Sequence, residues 1–245
     1  MGITRTALFS IALGLASVAC SSDSEPEEEE EAAPFGPNDP YEVTVEPADL
    51  SNNVTNPFLP MPMGASWTIQ AMTEDGLERT EVEVTTDTRT VWGVDVLVVR
   101  DTVYLADVIV EDTWDWFAQD TEGNVWYMGE ETQEYVDGMP GTTAGSWEAG
   151  VDGALPGIVM QADPTVGTSY RQEYYKGEAE DYATVVSLDE SVSVLAGDFE
   201  GCIKIRERSV IDPELDEFKY YCEGVGNVLV EEEDLSEELA DSSLL

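Results

Sequence analysis

The run from Val94 to Tyr127 limits what this chain can become more than any other stretch. β-branched and aromatic residues fill it, and short polar segments cut it at Ala106–Asp107 and at Asp120–Asn124. Period-two alternation suits a strand with one buried face, and a two-residue connection suits a tight hairpin. The stretch therefore predicts three consecutive antiparallel strands, 94–105, 108–118 and 125–128. No segment sustains a helical period, and turn residues recur about every ten positions. The expected fold class is all-β: a single domain over 42–232, in which a curved antiparallel sheet wraps into a partly open barrel or sandwich. That length can bury a sizeable core.

The remaining strands are expected at 67–72, 77–85, 88–92, 169–175, 179–188, 191–195, 201–210, 217–222 and 226–231. Residues 41–48 are expected as a short edge strand and 131–136 as a weak one. Residues 139–168 are glycine-rich and read as a long surface excursion. Residues 233–245 read as an acidic disordered tail.

Residues 1–19 have the form of an export signal. Arg5 is their only charge, and the apolar run from Ala7 to Ala19 is too short to span a bilayer. The ending Ser17-Val18-Ala19-Cys20 resembles the lipobox of bacterial lipoproteins, although Ser17 stands where leucine is usual. Secretion without a lipid is the alternative. The resemblance implies acylation of Cys20 and attachment to a membrane through that lipid. Ser21 resembles the outer-membrane sorting pattern, so the expected location is the cell envelope, as an outer-membrane lipoprotein. Residues 20–41, rich in glutamate and proline, read as a self-repelling tether.

The chain carries 53 acidic and 10 basic side chains and no histidine. Such a field repels nucleic acid. It keeps a protein soluble in salt, and it also collects divalent cations diffusely. Beyond Cys20, two cysteines remain. A hairpin centred near Asp212 and Pro213 places Cys202 opposite Cys222, and an oxidising compartment favours a disulfide between them. Two free buried thiols are the alternative.

Two short motif groups carry a second resemblance. Pro60-Met-Pro-Met-Gly64-Ala-Ser-Trp67 opens the domain. Val194-Leu-Ala-Gly197-Asp-Phe199 and Tyr220-Tyr-Cys-Glu-Gly224-Val-Gly226-Asn-Val228 lie near its end. They are similar to motifs of TapB-like and DUF3108-like exported proteins. That resemblance implies a curved, self-wrapping sheet and supplies no chemistry.

The missing histidine removes Ser-His-Asp and Cys-His catalysis and histidine-bound zinc. No phosphate-binding glycine loop or dinucleotide fingerprint is present. Carboxylate chemistry and hard-cation binding remain. The candidate surface for a cation or a glycan is Asp112, Trp114, Asp115, Trp116, Asp120, Glu122 and Asn124. Carboxylates beside aromatic platforms suit a sugar cleft, and a carboxylate pair can hydrolyse a glycosidic bond. Asp120 to Asn124 also echoes a calcium loop. The competing explanation is an aromatic core face, a solvated acidic face and a hairpin turn. Lys204, Arg206 and Arg208 alternate on one strand face, where pairing across strands with acids, for example those of 179–188, is expected and an anion pocket is the alternative. A similar pairing is expected for Arg171 and Lys176 with Glu178, Glu180 and Asp181.

The expected function is a lipid-anchored, non-catalytic binding or structural domain. No cofactor is expected beyond weakly held Ca²⁺, and the expected partners are the membrane and divalent cations or a glycan. A glycan module or carboxylate-pair glycosidase is one alternative, and a carrier of an apolar ligand is another.

Overall fold

The structure is a computed structural model and describes residues 33–36 and 39–245. The signal, Cys20 and most of the tether lie outside the described residues.

Sixteen strands follow in order: β1 (Leu50–Ser51), β2 (Ser66–Thr73), β3 (Gly76–Val91), β4 (Val94–Leu105), β5 (Val108–Asp120), β6 (Val125–Val136), β7 (Met139–Pro140), β8 (Trp147–Glu148), β9 (Leu155–Met160), β10 (Ser169–Arg171), β11 (Glu173–Tyr174), β12 (Asp181–Val194), β13 (Gly197–Ser209), β14 (Asp216–Cys222), β15 (Gly226–Glu231) and β16 (Ser236–Ser242). Among the described residues the only helical turn is a 3-10 turn at Pro47–Asp49. The fold is all-β, as the alternation predicts.

One antiparallel path runs β10-β12-β13-β14-β15-β16-β2-β3-β4-β5-β6-β9-β11. β10 stands at one end of this path and β11 at the other, yet only Gln172 separates them in sequence. A single short stretch of chain therefore spans both edges. The sheet becomes an almost closed barrel with one seam, which hides its edges. β1, β7 and β8 lie off the path, on β5 and β6.

The hairpins form where the sequence places them. Ala106 and Asp107 have φ of 48° and 64°, and Trp92 and Gly93 have 51° and 80°. Two consecutive left-handed residues match the twist of flanking strands. The cysteine pair is a disulfide with S–S 1.96 Å and Cα–Cα 4.2 Å. The register Ile203 to Tyr221 makes Cys202 and Cys222 direct neighbours across the ladder.

Several expectations need correction. Residues 77–85 and 88–92 are one strand, β3, with a register shift between Val84 and Thr88. Residues 125–128 and 131–136 are likewise one strand, β6, bent at Gly129 with φ 125°. A Cβ there would lie 2.3 Å from the Trp147 carbonyl oxygen, so only glycine lets β8 approach. Residues 41–48 form no edge strand. They run irregularly into the turn begun by Pro47, with Val43 and Val45 against the core.

The 139–168 excursion belongs to the fold. It contributes β9 to the sheet and buries Trp147 and Met160. The tail is not disordered, because Ser236–Ser242 is β16, inserted between β15 and β2. Its exposed face is acidic, but Leu239 is fully buried. Part of the tether also docks, since Phe35, Gly36 and Tyr41 touch the barrel.

The barrel interior is divided. Its apolar end holds Trp67, Leu97, Phe117 and Met128. The Pro-rich loop lies across that end: Leu59 and Met61 are buried, and the Gly224 amide donates to the Pro57 carbonyl. The other end lies beneath the turns after β2, β4, β6, β13 and β15, and it is polar.

Candidate functional site

The polar end is built by register. Asp101 on β4 faces Thr113 on β5, Thr113 faces Thr132 on β6, and Asp115 faces Glu130. Directly paired residues share a sheet face. Glu78, Glu207, Glu217 and Glu237 add to the layer from β3, β13, β14 and β16, and all are buried. Counted over the described residues, eleven carboxyl side chains are buried against two cations, Arg171 and Lys219.

Part of this layer is balanced. Lys219 Nζ lies 2.6 Å from Glu207 and 3.0 Å from Glu217. The Gln172 amide donates to Glu207 at 2.7 Å. Burial alone would lower the Lys219 ammonium, but the two glutamates more than offset it and hold it well above the lysine range. Burial still lifts Glu217 to about 7.

The other part has no such balance. The charges acting on Asp101 are those of Asp115, Glu111, Glu237 and Asp112, every one an acid. Burial, and then these acids, push Asp101 well above the carboxylate range. Burial lifts Glu111 to about 7 and Asp115 to about 8, and it lifts Glu130 well above the carboxylate range. Asp101 Oδ1 and Glu130 Oε1 are buried without a hydrogen-bond partner.

Hydrogen counting gives the same answer independently. The Tyr127 hydroxyl lies 2.6 Å from Asp115 Oδ1 and 2.7 Å from Glu130 Oε2. A phenol has one hydrogen to donate. It satisfies one carboxylate, so the other carboxyl must itself carry a proton and donate to the phenol oxygen. Asp115, Tyr127 and Glu130 therefore share a stored proton.

The residues singled out from sequence are scattered by the same geometry. Asp112 lies on the outer face in a bidentate pair with Arg100, at 2.7 and 2.8 Å. The Arg100 guanidinium sits 5.2 Å from the Trp114 ring, and that of Arg89 sits 3.9 Å over Trp116. The aromatic platforms are covered by arginine rather than open to a sugar. Asp115 points inward, into the acid layer.

Asp120 caps its own turn. Oδ1 accepts the amides of Glu122, Gly123 and Asn124, and Oδ2 accepts Asn124 Nδ2 and Trp126 Nε1. Burial raises this carboxyl, but the bonds from Trp126, Asn124 and Gly123 outweigh it and leave it below the usual range. Its lone pairs are taken, and Asn124 Oδ1 accepts the Ala162 amide. Glu122 is exposed. The calcium-loop reading gives way to a self-capped hairpin. Among the described residues no three acidic or cysteine side chains are arranged to hold a metal ion.

Lys204, Arg206 and Arg208 share an outer face, and the expected pairing with acids of other strands forms for two of them: Lys204 pairs with Glu231 of β15 and Arg206 with Asp216 of β14. Phe218, Tyr220 and Tyr182 lie beneath the three cations. Arg171 pairs with Glu180 at 3.4 Å.

No family model matches the chain, and no curated protein does. Two solved structures share some of its path. One is a candidate lipoprotein of Parabacteroides distasonis, at 14% identity and TM-score 0.40 over 76% of this chain and 98% of that one. The other is a candidate exported protein with a YmcC-like fold from Bacteroides fragilis, at 14% identity and TM-score 0.39 over the same shares. A likeness this low carries no argument about what the chain does.

Proposed function

We propose that this chain is a lipid-anchored, extracytoplasmic, non-catalytic binding protein whose ligand is positively charged and meets the acid-lined end of the barrel. The observation that supports it is the imbalance of ten buried carboxyls, Asp120 of the far turn aside, against two buried cations. Isolated charges in a low-dielectric interior are costly, so such a layer takes up either protons or outside cations. With no coordination centre formed among the described residues, the cation is held by charge rather than by a fixed set of ligands. An organic ammonium or a hydrated divalent ion fits that description. Catalysis is not part of the reading. Asp115 and Glu130 converge like an acid–base pair but are 3% and 1% exposed, beyond the reach of a sugar chain.

The test is thermal unfolding at pH 8 with Ca²⁺, Mg²⁺ or spermidine, against NaCl of matched ionic strength. A ligand of the native state at a hundredfold its dissociation constant adds about 2.7 kcal/mol. The expected result is a midpoint higher by several degrees with at least one of the three. No rise beyond the salt control removes the reading. The anchor is tested separately. Cys20→Ala moves the protein from the membrane fraction to the soluble one, and continued membrane recovery would refute lipidation.

A further inference from the structure

The barrel closes at one weak place. Three residues of β10 pair with β12 and two of β11 pair with β9, whereas β3 and β4 pair along most of their length. One seam pair is Glu173 with Pro156, and proline has no amide to give the ladder. The closing chain also fits tightly. A Cβ at Gly157 would lie 2.3 Å from the Gln172 carbonyl, so the approach exists only because residue 157 is glycine.

Three residues of the N-terminal arm lie across this weak place and touch all four of its strands. The Phe35 ring packs edge-on at 5.6 Å against Tyr182 of β12. The Arg171 guanidinium of β10 sits 5.0 Å from both the Phe35 and the Tyr174 rings, and it donates to the Gly36 carbonyl at 3.3 Å. The Tyr41 hydroxyl donates to the Pro156 carbonyl of β9 at 2.9 Å, and its ring lies 5.5 Å from Tyr174 of β11. Beneath these contacts the seam is wired to the acid layer. Gln172 holds Glu207, and Glu173 accepts the Trp147 indole N–H at 3.0 Å.

We propose that the seam at Ser169–Tyr174 is the route into the acid layer, and that Phe35, Gly36 and Tyr41 are the latch that holds it shut. The arm leads back toward the proposed lipid at Cys20, so displacing it at the membrane would loosen the seam and admit water and cations. What enters rests on the cation reading above, but the latch does not. Solvent is itself a probe of the opening.

The test is amide hydrogen exchange on the full mature chain, comparing wild type with Phe35→Ala and Tyr41→Phe. Tyr41→Phe removes one hydroxyl bond and leaves the ring, so its folding is not in question. The lost aromatic, cation–π and hydrogen-bond contacts predict exchange at 169–174 about tenfold faster in Phe35→Ala and less so in Tyr41→Phe, with β3 and β4 unchanged. Unchanged exchange at the seam would overturn the latch. So would equal acceleration throughout the barrel, which would mean general loss of stability. Neither readout uses a cation, so failure of the cation reading leaves this result interpretable.

Discussion

A chain ending at Leu235 does not fold. Residues 236–245 look dispensable by composition, but β16 joins the two halves of the sheet. It pairs with β15 on one side and β2 on the other. The Ala196 amide donates to the Leu239 carbonyl, and the Ser243 amide to the Ser66 carbonyl. Without β16, β15 and β2 face each other as open edges, and along the described sheet only the weak seam still joins the halves. Losing buried Leu239 alone costs on the order of 2–5 kcal/mol. The lost ladder adds to this, against a total domain stability of about 5–15 kcal/mol. Near-ultraviolet circular dichroism with urea titration will show no cooperative transition for the truncated chain. Leu239→Ala will keep one, at a lower midpoint. A truncated chain that unfolds at the wild-type midpoint would return these residues to a frayed tail.

The second large effect is an inverted dependence of stability on pH. Most proteins lose stability in acid because native carboxylates must be protonated. Here the folded-state values are raised: Glu111 and Glu217 to about 7 and Asp115 to about 8. Between the unfolded values near 4 and these folded ones, the native state binds more protons than the unfolded chain does. Stability from these groups is complete below about pH 4 and is lost as pH rises through 7 and 8. Each unit of difference is worth about 1.4 kcal/mol, so the fall from pH 5.5 to 8.5 is on the order of several kcal/mol. The window is unusually clean because the chain has no histidine. Ordinary carboxylates have finished titrating below it, and tyrosine and lysine begin above it. Urea unfolding across this range should give a free energy that declines steadily. A flat or rising profile would mean that the buried acids are already ionised.

Much of the fold was legible in the chain. Ala106–Asp107, the cysteines placed symmetrically about position 212, and the steady alternation each pointed to one feature of the sheet, and each is present. The interior was not legible. Alternation separates the faces of a strand but does not say which faces inward. In Glu111-Asp112-Thr113-Trp114-Asp115-Trp116, hydropathy turns the tryptophans inward and Glu111 and Asp115 outward. The structure does the reverse, because register places Glu111, Thr113 and Asp115 beside the inward residues of β4, and arginines cover Trp114 and Trp116. A signal did exist. Glu78, Asp101 and Glu111 lie in phase with Val82, Val99 and Thr113 along their strands, so the apolar face itself continues into acid. β16 offered less, since Leu239 is the only large apolar residue within it. Gly129 and Gly157 had no reading without the backbones that approach them.

The account depends on an interior that stores protons at neutral pH. Carbon-13 NMR of the side-chain carboxyls reads this directly, with Glu130→Gln and Asp115→Asn assigning the two signals beside Tyr127. In the folded wild type at pH 7, at least one of the two carboxyls should give the chemical shift of a carboxylic acid, and it should lose its proton only in more alkaline solution. Two carboxyls that both titrate near pH 4 while the protein stays folded would contradict the shared proton and, with it, the acid layer as the protein's distinguishing feature.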